Sequence, residues 1–140
     1  MLKNVFGIAG TALNAQTIRL NTTASNLANA GSISGLEEEA YRAKRPVFRA
    51  LVDQSDLNAG FSSLGGVKVN EIVDTEEPVR KVHDPGNPEA NEEGYIFLSN
   101  VNEATEMVEM VAASRSFQNN VEVVNTAKQL MMRTLDITKA

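Results

Sequence analysis

The sequence of 140 residues contains no cysteine and no tryptophan, and its single histidine is His83. Without cysteine, the chain can form neither disulfides nor zinc–cysteine sites, and thiol catalysis is excluded. It also lacks a glycine-rich phosphate loop, a nucleophile elbow and any metal-ligand spacing. No residue set meets the requirements of a catalytic, cofactor-binding or metal site, so we expect neither an enzyme nor a small-molecule substrate.

Long apolar runs and an excess of positive charge are missing as well. No run approaches the roughly 20 apolar residues that a membrane span needs. The net charge of -5 argues against nucleic acid as a partner, because phosphate binding requires clustered lysine and arginine. The apolar residues near the N-terminus are interrupted by glycine, threonine and asparagine, and no small-residue cleavage site follows them. We therefore expect an N-terminus that is not cleaved as a signal peptide.

Helix breakers are confined to the middle of the chain. All four prolines lie between positions 46 and 88, and residues 95–140 contain neither proline nor glycine. Because proline blocks helix interiors, both ends can be helical and the middle cannot. The sequence predicts a mainly α fold with a small β region: an N-terminal helix in residues 1–35, a β-rich middle in residues 36–99 and a C-terminal helix in residues 100–140. We expect the two long helices to form an antiparallel, coiled-coil-like pair.

Both terminal segments carry apolar residues at a spacing of seven, the repeat by which paired helices pack. We call these positions the seam residues and predict that they form helix-packing and subunit contacts. They are Phe6, Leu13, Leu20 and Leu27 in the first segment, and Met110, Phe117, Val121, Val124, Met131 and Leu135 in the last.

Polar residues suggest how the helices begin and how they align. Asn100 and Glu103 have the spacing of a capping box, which predicts that the last helix starts there. Three amides, Asn14, Asn21 and Asn125, could bond across the helix pair and set its register, or could face solvent.

The middle segment is predicted to contain short strands and turns. Strands are expected at 43–52 and 67–74, with a turn at 62–66, and residues 79–83 could pair with the second strand. The acidic run Glu37–Glu39 and the preceding residues 31–35 are expected to form a flexible connection.

Two helices of about 30 residues span on the order of 40–45 Å each, and a middle of roughly 65 residues cannot cover both. Apolar residues outside the seams should then stay partly exposed and mark an interaction surface. They are Val5, Ile8 and Ile18 on the first helix and Met107, Val108, Val111 and Val123 on the second.

Several charged groups allow more than one interpretation. Glu37–Glu39 could be an acidic docking patch or a solvated linker. A basic cluster of Arg42, Lys44, Arg45 and Arg49 favours contact with an acidic partner over nucleic acid. His83 is expected in a solvated loop, and residues 84–89 have oxygen ligands without the spacing of a calcium loop.

Residues 8–16, 19–21 and 24–30 resemble the amino-terminal signature of bacterial flagellar rod and hook proteins, and residues 41–44 resemble the stretch that follows it. The C-terminal residues 94–95, 100–102, 106–108 and 113–128 are similar to the proximal-rod members, which also share the short middle. Gly31, Ser32 and Ile33 depart from the usual pattern. The family motif is carried by Ser25, Asn26, Leu27, Ala28, Asn29, Ala30, Ser114, Arg115 and Asn125.

This resemblance implies a structural subunit of the flagellar basal-body rod. It implies export through the flagellar type III apparatus without cleavage, and assembly into a tube in the periplasm that is lined by the terminal helices. The implied partners are copies of the chain, other rod proteins and the membrane-ring base. The alternative is a soluble helical adaptor or export chaperone of the flagellar system.

Overall fold

The structure is a computed structural model that describes residues 2–51 and 65–139. Two long helices of 27 and 37 residues enclose a small β region, as the distribution of prolines predicts. The elements are α1 (Leu2–Ala28), β1 (Ile33–Ser34), a 3-10 turn (Glu37–Glu39), β2 (Lys44–Ala50), β3 (Val67–Asp74), β4 (Arg80–His83), β5 (Tyr95–Leu98) and α2 (Glu103–Lys139).

The strands form two separate antiparallel sheets. β2 pairs with β3 as a hairpin that carries a bulge after Val47, and β5 lies between β1 and β4 in the second sheet. The predicted pairing of residues 79–83 with 67–74 is therefore wrong, because β4 pairs with β5. Residues 84–94 close that hairpin with a turn in which Gly94 adopts φ 78°, a conformation that glycine tolerates. The first part of the predicted 62–66 turn lies outside the described residues.

The connection after α1 is structured rather than flexible. Asn29 and Ala30 donate to carbonyls of the last helical turn, and Ser32 donates to Asn29. Ile33 and Ser34 then pair with β5, and Glu37–Glu39 forms a 3-10 turn. The hydrogen bonds of this segment hold the chain against the second sheet, which the flexible-linker prediction did not anticipate.

The N-cap of α2 is Asn102, two residues after the predicted cap Asn100. The Asn102 side chain accepts a hydrogen bond from the backbone N–H of Thr105 at 3.1 Å, which is the N-cap arrangement. Asn100 instead accepts from the backbone N–H of Ala43 and donates to Glu77. The prediction that Asn100 caps the helix is therefore wrong, and this side chain ties the middle segment together.

α1 lies against two other elements. On one side it contacts α2, where Asn26 donates to Glu106 at 3.1 Å and Arg19 forms an ion pair with Glu109. On another side it contacts the β2–β3 hairpin, where the Thr11 hydroxyl accepts from the N–H of Val67 at 3.2 Å. The hairpin thus covers mainly α1.

The interior is built largely from small residues. Among the side chains that the structure describes, seven of the ten buried apolar ones are alanines, and the larger ones, Ile96, Phe97 and Val101, lie at or next to β5. The accessible surface is 9916 Å², whereas a compact monomer of this size has roughly 7,100 Å². The isolated chain therefore leaves an unusually large share of its surface in water.

The proposed division at residues 35/36 and 99/100 stays a prediction. The boundaries do fall in connections between elements, since β1 ends at Ser34 and β5 at Leu98.

Candidate functional site

Most of the seam residues are half-buried, and their role in helix packing stays a prediction. Eight of them share this intermediate exposure, whereas Val121 is 37% exposed and Leu135 is 51% exposed. α2 has 37 residues and α1 has 27, so α1 cannot cover the whole length of α2. The half-buried seam residues are Phe6, Leu13, Leu20, Leu27, Met110, Phe117, Val124 and Met131.

α2 also exposes large apolar side chains outside the seam positions. Val108 is 68% exposed and Val111 is 52% exposed, and both line a shallow, open groove with Arg115. We call this surface the outer face. It consists of Met107, Val108, Val111, Val123, Leu130, Met132 and Ile137.

α1 differs in this respect. Among its described side chains, residues 4–28, the large apolar side chain that is exposed is Ile8, at 40%. Val5 and Ile18, which the sequence led us to expect as partly uncovered, are half-buried. The apolar surface that is left open therefore lies mainly on α2.

A buried polar junction joins α1, α2 and the start of β2, and Asn26 is its centre. Its side chain is fully buried and bonds both backbone groups of Lys44: Nδ2 donates to the carbonyl at 2.9 Å, and Oδ1 accepts from the N–H at 2.8 Å. Oδ1 also accepts from the Tyr41 hydroxyl at 3.1 Å. The amide thus acts as a strand neighbour for β2, satisfying groups that would be costly to bury unpaired.

Glu106 completes the junction from α2. Its carboxylate is fully buried, accepts from Asn26 and lies 2.5 Å from the Arg45 guanidinium. The hydrogen bond and charge of Glu106 raise the pKa of Arg45, although burial opposes this, so the arginine stays charged beside it. The buried carboxylate is tolerated because Oε2 accepts from Asn26 and Oε1, which lacks a well-aligned hydrogen bond, lies against the charge of Arg45. This ion pair links β2 to α2.

Sequence reasoning found only part of this junction. Asn14, Asn21 and Asn125 are exposed, which agrees with the solvent-facing alternative and not with a role in setting the register, and Asn26 is the buried amide. Glu106 was not singled out, yet a signal was present. It precedes Met110 by four and Ala113 by seven residues, which places an acid on the apolar seam of a helix.

The other motif residues are spread over both helices. Ala30 is buried against Ala43 and Val101, and Asn29 donates back to the carbonyl of Ser25. Ser114 is half-buried. Ser25, Ala28, Arg115 and Asn125 are exposed.

The basic cluster is partly used within the chain. Arg45 pairs with Glu106, and Arg42 donates to the carbonyl of Glu77 and lies 4.0 Å from Glu37. Lys44 and Arg49 are exposed, as is the whole acidic run Glu37–Glu39.

The last features to consider are His83, possible metal-binding clusters and possible membrane-spanning helices. His83 packs edge-on against Tyr95 at 4.9 Å between ring centres. Within residues 2–51 and 65–139, no three metal-binding side chains converge, and neither helix is long and apolar enough to cross a membrane.

Comparison with known proteins identifies relatives along the chain. The family model described as "Flagella basal body rod protein" matches residues 6–31, and the model "Flagellar basal body rod FlgEFG protein C-terminal" matches residues 92–137. Flagellar basal-body rod protein FlgC of Escherichia coli O6:H1 is 47% identical over 137 residues, 97% of each chain. The FlgC proteins of Salmonella typhimurium and Bacillus subtilis are 47% and 36% identical, covering 97% and 94% of this chain and 97% and 95% of their own.

Proposed function

The chain belongs to the FlgC family of flagellar basal-body rod proteins, and we propose that it polymerises into the proximal rod by packing its two terminal helices against those of neighbouring subunits. It is a structural subunit of the basal body and not an enzyme. The relatives match it nearly end to end, so the whole chain, and not a fragment of it, has this role.

The helices are proposed to lie antiparallel within each subunit. Asn26, near the end of α1, contacts Glu106 near the start of α2, and Arg19, earlier in α1, contacts Glu109, later in α2. Contacts in opposite chain order support the antiparallel pair.

The surface of the isolated chain is the observation that carries the assembly proposal. The outer face leaves large apolar side chains in water along α2, and the total accessible surface exceeds that of a compact monomer by roughly 2,800 Å². Large exposed apolar side chains grouped on one helix are the kind of surface that protein interfaces bury. Burying it between neighbours would offset the loss of translational and conformational entropy on assembly.

Export and location follow from the same proposal. The partners would be other rod proteins, copies of the chain, the membrane-ring base and the type III export apparatus, with the finished rod in the periplasm. Support comes from the interior built of alanine, since a weakly packed chain can cross a narrow export channel unfolded and become ordered on assembly.

A pair of seam substitutions tests the proposal. Leu20→Asp and Phe117→Asp should each abolish motility and remove the chain from isolated basal bodies, because a charge cannot be buried unpaired between helices. Export should continue. The matched controls Asn21→Asp and Gln118→Asp change the exposed residue next to each seam position and should keep most of the motility. Normal rods with either seam variant would refute the role of helix packing.

The alternative, a soluble adaptor or export chaperone, predicts a stable folded dimer in solution. Circular dichroism of the purified chain distinguishes the two. A rod subunit should show partial helicity and a broad thermal transition, whereas high helicity with a sharp transition would favour the adaptor.

A further inference from the structure

Two like charges lie opposite each other on the β2–β3 hairpin. Arg49 on β2 is the direct neighbour of Lys68 on β3, and both side chains are exposed. Like charges at directly opposed positions destabilise an antiparallel pair. The ion pairs among the described residues are Arg19–Glu109, Arg42–Glu37 and Arg45–Glu106, so in that part of the chain neither cation has an acidic partner.

Apolar side chains extend this basic pair into a surface. Val47 lies two residues before Arg49 and is 39% exposed, and Val73, opposite Arg45, is 38% exposed. Arg45, Val47 and Arg49 alternate along β2 and so share a face, and the cross-strand neighbours Val73 and Lys68 share it with them. The two cations and the two valines therefore lie on one face of the hairpin, together with Arg45, whose charge is paired with Glu106. Glu71, opposite Val47, also belongs to this face and makes no ion pair with the described side chains. We call this surface the hairpin face.

A complementary segment lies elsewhere on the same molecule. Leu36 is 56% exposed and directly precedes the exposed acids of the Glu37–Glu39 turn, of which Glu37 alone is near a cation, Arg42 at 4.0 Å. We call residues 36–39 the acidic turn. An apolar anchor beside three acids complements two valines beside two cations.

The acidic turn cannot reach the basic pair of its own chain. The hairpin is held near the end of α1 by Asn26 at Lys44, and near its beginning by Thr11 at Val67. The acidic turn immediately precedes Tyr41, which bonds Asn26, whereas Arg49 is five residues along β2 from Lys44. Five strand residues span roughly 16 Å, far beyond the reach of an ion pair.

We propose that the acidic turn of one copy docks on the hairpin face of the next copy. This contact joins two different surfaces. Each subunit therefore uses its acidic turn to bind one neighbour and its hairpin face to bind the other, and the contact repeats along a helical array. Its small size suits orientation and selection of the neighbour, while the helices supply most of the buried area. The inference rests on the proposed assembly of copies.

The absence of cysteine makes a direct test simple. Cells producing the Glu38→Cys/Lys68→Cys chain as the sole copy are treated with a short bis-maleimide cross-linker, and their basal bodies are isolated. A ladder of dimers, trimers and larger species is expected, because each copy is linked at both ends. The control Glu92→Cys/Lys68→Cys places the second thiol on a different exposed acid and should form no ladder.

The outcomes separate this proposal from the proposed function. A double-cysteine chain that enters basal bodies without forming a ladder overturns the contact and leaves the rod role intact. Dimers from Lys68→Cys alone, or links to a different protein, also overturn it. If the unmodified chain is absent from basal bodies, the proposed function itself fails.

Charge exchange provides a second readout. Arg49→Glu/Lys68→Glu should lower the amount of chain in basal bodies about tenfold, because like charges across an interface repel strongly. Adding Glu38→Lys/Glu39→Lys restores opposite charges between copies and should return the amount to near normal. Failure of this restoration, with the cross-linked ladder also absent, contradicts the proposal.

Discussion

The two long helices have similar apolar repeats, yet the rest of the chain covers them differently. α1 lies between α2 and the β2–β3 hairpin, so its described side chains expose one large apolar residue, Ile8. α2 has α1 on its seam and an uncovered outer face. Under the proposed assembly, this difference predicts that α1 serves mainly the fold of the subunit and that α2 serves mainly contacts with neighbours.

The largest effect should come from placing a charge on the outer face. Val111→Asp should leave the folded chain nearly unchanged, since this side chain is half exposed, and should abolish motility if neighbours bury it. Ile8→Asp on α1 should be clearly milder. Both are measured as the amount of chain in isolated basal bodies and as swimming speed. Equal loss in both variants would contradict the division between the helices.

The next effect concerns the polar junction, where both helices meet β2. Arg45→Met leaves Glu106 buried without its cation, which should cost about 3 kcal/mol, at the low end for buried pairs because Arg45 reaches solvent. Hydrogen exchange at the amides of β2 and β3 should then accelerate about a hundredfold.

The double variant Arg45→Met/Glu106→Gln is the control for this prediction. It removes both charges and keeps an acceptor for Asn26, so it should recover part of the lost protection. If it exchanges as fast as Arg45→Met, the unpaired charge is not the cause.

A smaller effect tests the cover that the hairpin gives to α1. A Cβ at Gly66 would lie 3.1 Å from the Thr11 hydroxyl and 3.4 Å from a methyl carbon of Leu51. Gly66→Ala should therefore weaken the hairpin contact by about 1 kcal/mol, seen as faster hydrogen exchange at Val67 and Val69. Gly31→Ala, where the Cβ would meet open space, is the matched control. Unchanged exchange in Gly66→Ala would show that the hairpin does not depend on this close approach.

The smallest effect has the opposite sign. Gly10 lies inside α1, and a Cβ there would meet no other atom within 4 Å. Gly10→Ala should stabilise the helix by up to about 1 kcal/mol and raise the helicity of the isolated chain. If this variant is more helical yet assembles poorly, then a neighbour packs closely on α1, and α1 contributes to assembly as well as to the fold.

The helices were predictable because their signals are local. Proline is absent from α1 and α2, and the seven-residue repeats of Leu13 and Phe117 depend on sequence spacing alone. The β3 strand was predicted at its observed bounds for the same reason, since a turn signal precedes alternating valines. The β4 partner was not predictable, because pairing depends on the distant strand β5 and not on the composition of β4.

The polar junction was the part of the candidate site that sequence reasoning missed. Asn26 and Glu106 are 80 residues apart, and although the spacing of Glu106 on α2 was a signal, nothing local distinguishes Asn26 from the exposed Asn21. Their burial arises only when two helix ends and one strand meet. The family motif marked Asn26 without explaining it, and the structure supplies the reason: its amide replaces a missing strand beside Lys44.

By itself, the sequence determined that the chain has two helical ends, a broken middle, no thiol chemistry and more apolar helix surface than its middle can cover. These properties follow from composition and periodicity, which act over a few residues. The tertiary structure alone decided which helix the hairpin covers, which asparagine is buried and which acid is paired. Those choices depend on contacts between residues far apart in the chain, where many arrangements share the same local pattern and packing selects one.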